Sequence, residues 1–363
     1  MTPTMTDCPL AAMVAGTPTD YWNDSCAVDE LAYAVERGAT GATSNPVIVG
    51  EVMKKEKAHW VPRVREIAAA NPAFSEVELT WALIEEMAAR GAGMLAPVFA
   101  REGGRKGRLS VQTNPANHAS VAAMVEQAVH FDTLAPNIQV KFPATGPGVA
   151  AIEEAAARGV NTNGTVAFTV SQAIAVAEAV ERGLARFAAA GGDSSTLSPV
   201  ISLMIGRLDD WVKVLVERDD VALEPGAANW AGIAVFKRAH GIFVERGYRT
   251  RLLAAAFRHR LHWTELVGGD AVLTMPHAWQ VRFNASGIDP VSRIEVPVDP
   301  AIIAELSARI PDFGRAYDPA GLAPDEFVTF GATARTLRGF IASYHDLQAA
   351  VRDIVLPNPD LRA

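Results

Sequence analysis

Along most of the chain, short runs rich in β-branched and apolar residues alternate with longer, alanine-rich segments whose apolar positions fall at helical spacing. The segment VDELAYAVERG predicts a helix that stops at Gly38, and the strand-like ATGATSN (Ala39 to Asn45) follows it. RLSVQTN (Arg108 to Asn114) precedes SVAAMVEQAVHF, in which Val121, Met124, Val125, Ala128 and Phe131 share one helical face. NIQVKF leads into VAAIEEAAARG, which closes on Gly159. VNTNGTVAF leads into SQAIAVAEAVERGLARF, with Ser171 as the expected N-cap and Ala173, Val176, Val180, Leu184 and Phe187 as the apolar stripe. SPVISLMIG, LLAAAF and DAVLT add three strand candidates, and TDYWND near the N-terminus brings the count to eight.

Eight strands separated mostly by helices predict repeated right-handed β-α units, which close into a (β/α)8 TIM barrel or lie open as a doubly wound sheet. Two features favour the barrel. No GxGxxG turn follows the first strand, and polar residues recur at the C-terminal ends of the strands: Asp24, Asn45, Gln112, Lys141, Asn163, Thr165, Ser202 and Arg258. Two segments exceed a minimal barrel. Residues 47–107 hold extra helices after the second strand, including EVELTWALIEEMAARG, and REGGRKGR reads as a solvated basic loop. The tail holds PAIIAELSARI and a long helical segment whose apolar face (Leu337, Phe340, Ile341, Tyr344, Leu347, Val351, Ile354) must pack on something. The expected division is a barrel catalytic domain over 1–276 and a helical C-terminal extension over 277–363 packed on it.

Composition narrows the classes of function. With 49% hydrophobic and 20% charged residues among 363, the chain has ample material for a large core. A net charge of -8 supplies no basic field, so neither nucleic acid nor an anionic membrane is expected as a partner. Cys8 and Cys26 have no CxxC or Cys/His spacing, which argues for a reducing compartment and against a zinc site. The N-terminal stretch lacks the charged lead-in of an export signal and no apolar run is long enough to cross a bilayer, so a cytoplasmic location is expected. His118, His240, His259, His262 and His277 show no HExxH or HxH spacing and read as packing or surface residues, and Lys237 reads as a solvated charge. Without a GxxxxGK(S/T) loop, nucleotide hydrolysis has no support.

In NIQVKFPATGPG, Lys141 stands in an apolar run. One reading is a strand-end lysine whose stem packs while its ammonium reaches water. The other begins from desolvation, which lowers an amine's pKa and leaves it neutral, able to attack a ketone and form a Schiff base. GATSNPVIV, IQVKFPAT, GVNTNGTVAFTVSQA and ISLMIGRLDDW, in this order and with Lys141 and Thr165 24 positions apart, resemble the transaldolase family of class I aldolases from Tyr21 to about Pro276. The resemblance implies a (β/α)8 barrel, a lysine imine with a phosphorylated ketose, and transfer of a dihydroxyacetone unit to an aldose. It implies no cofactor and no metal, since the imine is its own electron sink, and it leaves a homo-oligomer open.

Residue by residue, Lys141 matches the Schiff-base lysine. Asp24 matches the aspartate that exchanges the proton of the sugar C4 hydroxyl, although it also suits a helix N-cap. Asn45 and Asn163 match amides that hold the three-carbon fragment, although asparagine before proline or glycine is also turn chemistry. Thr165 matches a threonine that positions the catalytic water, and β-propensity alone would also place a threonine there. Arg207, Arg258 and Ser202 match the phosphate pocket, where the guanidinium fork suits phosphoryl oxygens; a salt bridge from Arg207 to Asp209 or Asp210 is the competing reading. Three positions depart from the pattern. Gln112 stands where a transaldolase has a glutamate beside the water, as in the fructose-6-phosphate aldolase branch. Met204 stands where that branch has a tyrosine, and Ala256 replaces a pocket serine. The alternatives are therefore an aldolase that releases dihydroxyacetone and a non-catalytic barrel that binds a sugar phosphate.

Overall fold

A computed structural model describes residues 8–360. Its strands are β1 (Asp20–Asn23), β2 (Gly41–Thr43), β3 (Arg108–Gln112), β4 (Ile138–Pro143), β5 (Thr162–Ala167), β6 (Val200–Leu203), β7 (Arg251–Ala254) and β8 (Ala271–Met275). Each pairs in parallel with the next, and β8 returns to β1 with Asp20 opposite Val272 and Asn23 opposite Met275, so the sheet is a closed barrel. Apart from the half-buried Arg251 at the start of β7, the strand residues are buried, as a parallel sheet filled inside and covered outside requires.

The helices are α1 (Pro9–Gly16), α2 (Val28–Glu36), α3 (Pro46–Lys55), α4 (Lys57–Ala70), α5 (Glu76–Arg101), α6 (Val121–Asp132), α7 (Gly146–Ala156), α8 (Val170–Ala189), α9 (Ile205–Arg218), α10 (Ala231–Arg246), α11 (Leu261–Thr264), α12 (His277–Asn284), α13 (Pro300–Arg309), α14 (Pro311–Tyr317) and α15 (Gly331–Val355). Three of them, α3 to α5, fill the crossover between β2 and β3. The longest of these, α5, starts at a capping box in which Ser75 accepts from the Glu78 amide and Glu78 from the Ser75 amide. The cap of α8 is Thr169, not Ser171. Thr169 has the extended backbone a cap needs and accepts from the Gln172 amide, while Ser171 lies buried inside the first turn.

The tail reaches the mouth of the barrel. From α15, Leu337, Phe340, Tyr344, Leu347 and Val351 are buried, and the helix packs along α3, α4, α5 and α9 and against β5. Gln172 Nε2, at the start of α8, donates to Thr333 Oγ1 of α15 at 3.4 Å. Two charges expected in solvent are drawn inside. Arg108 is buried and donates to the carbonyls of Gly104 and Thr196, because a strand start under the barrel leaves no route to water. Lys237 is covered and donates to Glu265 at 2.8 Å.

Candidate active site

The first barrel-lining layer below the mouth is polar and bonded across strands. Ser110 (β3) donates to Gln139 Oε1 (β4) at 2.6 Å and accepts from Asn163 Nδ2 (β5) at 3.1 Å, while Ser202 (β6) donates to Asn163 Oδ1 at 2.8 Å. Both ends of the Asn163 amide are thus held, and Ser202 is tied to Asn163.

Above this layer, Gln112 lies in register with Lys141, and Lys141 with Asn163. Lys141 is only 5% exposed, and its Nζ donates to the Ser44 carbonyl at 3.1 Å. Burial pulls its pKa down to about 8 against the opposing charge of Asp24. Cys26, close by, remains a neutral thiol because burial pushes it up to about 11.

Asp24 follows β1 directly and continues its ladder, its amide donating to the Met275 carbonyl at 2.9 Å. It caps no helix, since α2 is capped at Ala27 without a side-chain bond. Its Oδ1 accepts from Thr43 Oγ1 at 2.6 Å, and the Thr43 hydroxyl lies 2.8 Å from that of Thr274 on β8. Loss of water raises the carboxyl above its ordinary range, against the pull of Lys141, the Thr43 hydrogen bond and the charges of Arg207 and Arg258. Burial thus acts on the two groups in opposite directions, raising the carboxyl and lowering the amine, while each pulls the other toward its charged form.

The remaining residues flank this pair. Asn45 caps α3, its Oδ1 accepting from the Ile48 amide at 3.1 Å, which orients the amide and leaves Nδ2 to donate elsewhere. Gln112 is 4% exposed, and its Oε1 is buried without a hydrogen-bond partner. A buried acceptor of this kind is costly unless something donates to it, so it marks a place for a water or a substrate hydroxyl. Thr165 is buried on β5 inside an irregularity in the β5–β6 register between Gly164 and Ala167, where Val166 takes φ +56°. A β-branched residue there is strained, and Gln172 Nε2 holds the loop by donating to the carbonyls of Ala144 and Val166 at 2.8 and 3.3 Å.

One rim of the mouth is basic. Arg207, in the first turn of α9, lies with Cζ 5.3 Å from the Phe340 ring centroid of α15; burial lowers its pKa, and the charges of Arg258 and Arg335 lower it further. Arg258 follows β7 and forks onto Asp210, with Nε at 3.0 Å and Nη2 at 2.8 Å from Oδ2. The salt bridge anticipated for Arg207 therefore belongs to Arg258. Backbone contact unites the two arginines: a Cβ at Gly206 would run into the carbonyl of Ala256, which itself takes φ +66°. Thr43, Ser44, Thr274 and Gln172 make contacts around this cluster that the sequence does not single out one by one, since threonine, serine and glutamine at strand ends are unremarkable until the strands are closed. Met204 caps α9 without a side-chain bond and is buried.

Comparison with known proteins agrees with this architecture. The family model described as transaldolase/fructose-6-phosphate aldolase matches residues 21–350. The match starts with the sequence motifs but runs past Pro276, so it takes in the C-terminal helices that the motif likeness leaves out. The chain is 28% identical to a transaldolase of Thiobacillus denitrificans over 303 residues, covering 77% of this chain and 82% of the relative. It is 28% identical to a transaldolase of Acidothermus cellulolyticus over 312 residues, covering 76% and 80%. A transaldolase 2 of Nostoc punctiforme is 26% identical over 369 aligned positions, covering 92% and 94%. Among the described residues no helix is long and apolar enough to cross a membrane. With the barrel closed and the family match spanning nearly all of its elements, the chain belongs to the transaldolase/fructose-6-phosphate aldolase family.

Proposed function

We propose that the protein cleaves the C3–C4 bond of a phosphorylated ketose through a Lys141 imine and passes the three-carbon unit to an aldose. The observation that carries this reading is the buried Lys141 amine, with its pKa at about 8, in the electrostatic reach of the Asp24 carboxyl inside a closed barrel. The neutral amine adds to the C2 carbonyl, and the carbinolamine hydroxyl, taking up a proton, leaves as water and gives the protonated imine. Asp24, as carboxylate, takes the C4 hydroxyl proton while the C3–C4 bonding electrons move into the imine as an enamine and the aldehyde departs. The enamine adds to the acceptor aldehyde, whose oxygen takes the proton back from Asp24, and water then releases the amine. Asn45 and the one Asn163 N–H left over from its bond to Ser110 hold the hydroxyls of the fragment, Thr165 and Gln112 hold the water, and Arg207 with Arg258 binds the phosphate.

A second reading, release of dihydroxyacetone to water, is favoured by Gln112. Glutamine is what the aldolase branch has at this position, and its unpartnered Oε1 can accept a hydrogen bond from the water that hydrolyses the imine, a step both readings share. Borohydride reduction in the presence of fructose 6-phosphate, followed by intact-mass measurement, tests the common step: a dihydroxyacetone-sized adduct that vanishes in Lys141→Ala is expected. No adduct, under conditions that label another transaldolase, leaves only a barrel that binds sugar phosphates. Incubation with and without erythrose 4-phosphate separates the two enzymatic readings, since transfer requires the acceptor and aldol release does not.

A further inference from the structure

We propose that Asp209 and His262 are positioning residues for Arg258, fixing the main chain of the loop between β7 and α11 so that the guanidinium meets the anionic end of the substrate. The proposal rests on the reading of Arg258 as a phosphate ligand given above. His262 is fully buried, and its Nδ1 accepts from the Arg258 main-chain N–H at 3.1 Å. That bond puts the ring proton on Nε2, which donates to Asp209 Oδ2 at 2.8 Å. Asp209, also fully buried, accepts from the Gly232 amide at 2.8 Å through Oδ1, and His259 Nε2 lies 3.1 Å from Oδ2. One carboxylate therefore ties α9, the start of α10 and the Arg258 loop together.

The loop needs such a tie. Ala256 sits in the left-handed region, which a residue with a Cβ leaves unless its surroundings hold it there. The helix that follows, α11, is four residues long and has no capping side chain, so it lends little order of its own. Arg258 is also half-exposed, with Asp210 as its one carboxylate partner, so its reach depends on where its backbone stands.

Asp209, His259 and His262 also lie close enough to hold a metal ion together. The hydrogen bonds speak against that use. A metal on His262 Nε2 would drive the ring proton to Nδ1, where it would face the Arg258 N–H, donor against donor. The arrangement is that of a hydrogen-bonded relay from carboxylate through imidazole to the backbone of the arginine.

The experiment compares His262→Gln and His262→Asn with Arg258→Ala, measuring kcat and KM for fructose 6-phosphate and, as the internal control, kcat/KM for fructose. The Gln side chain reaches Asp209 but offers no acceptor at the Nδ1 position, while the Asn side chain keeps that acceptor. His262→Gln is expected to raise KM for fructose 6-phosphate about tenfold with kcat within roughly threefold, leaving fructose unaffected, and His262→Asn to raise it about threefold. Equal loss on both sugars, or no change in the Gln variant, would overturn the proposal. If the Gln variant does not fold, the Asn variant decides by the same ratio of the two sugars. A wild type without preference for the phosphorylated sugar, or Arg258→Ala that keeps the preference, overturns the anion-pocket reading itself and this proposal with it.

Discussion

The two ends of the barrel carry similar charges and use them in opposite ways. At the N-terminal end, buried Asp20 accepts from Lys106 at 2.9 Å and lies 2.8 Å from Arg251, whose Nε is 2.6 Å from Asp270. Arg108 spends its donors on carbonyls in the same region. Charge there is paired with opposite charge or, for Arg108, satisfied by carbonyls, which is how a buried ion is tolerated. At the C-terminal mouth, Lys141 has one carbonyl partner, Arg207 lies over an aromatic ring, and Gln112 holds an orphaned oxygen. On the function proposed above, a sugar phosphate would supply what these groups lack: a carbonyl carbon for the amine, a phosphoryl group for Arg207, with Arg258 beside it on Asp210, and a hydroxyl or water for the amide. Paired charge builds the fold; unpaired charge, held in place by the paired kind, is what a substrate can complete.

This contrast can be broken in four ways. The largest effect is expected from Lys141→Met, which keeps the volume and removes the amine. Turnover should fall by roughly four orders of magnitude or more with the thermal midpoint unchanged or raised, because a costly buried charge is gone. A fall in the midpoint with residual turnover would place Lys141 among the structural charges. Next, Asp24→Asn should lower kcat by about a hundredfold to ten-thousandfold while the borohydride adduct still forms, since proton transfer and imine formation are separate duties. Loss of the adduct as well would assign Asp24 to the imine step.

Asp20→Asn, at the other end, should cost about 2 to 3 kcal/mol in denaturant unfolding with kcat unaltered. That is below the full cost of breaking a buried pair, because Lys106 can turn to water and Arg251 keeps Asp270. A change in kcat would show that the two ends are coupled. The smallest effect is on pH. The lysine is a charged ammonium below its pKa and a free amine above it, so a pKa of about 8 makes the adduct rate climb through neutral pH and level off above about 8. Below that value the slope should approach about tenfold per pH unit in stopped borohydride trapping. A profile still rising steeply at pH 10 would mean an amine that is not desolvated.

Much of this was legible from local pattern. All eight strands were marked by their own composition, and polar residues at their C-terminal ends singled out Lys141, Asp24 and Gln112, because a strand end is a property of a few neighbouring residues. Local pattern erred where burial depends on distant chain. Lys237 looks solvated in its helix but meets Glu265, and Arg108 ends a basic stretch that looks exposed but starts a strand under the barrel. The competing reading of Arg207, a salt bridge to Asp209 or Asp210, rests on closeness in sequence, yet Asp210 binds Arg258, 48 positions away.

By itself, then, the sequence determined the alternation of strand and helix, the lysine, and the order of motifs that leads to a barrel; each motif is a matter of spacing within a dozen residues, and their order is read along the chain without knowing what touches what. Tertiary structure decided what each polar group has left to offer. Whether Asn163 is free or held between Ser110 and Ser202, whether Asp24 caps a helix or accepts from Thr43 within electrostatic reach of the lysine, and whether His262 merely packs or bonds the Arg258 main chain depend on strands and helices far apart in the chain. The physical reason is that a hydrogen bond or a desolvation shift is set by whichever atoms closure of the barrel brings within about 3 Å, and that distance is written in no short stretch of residues.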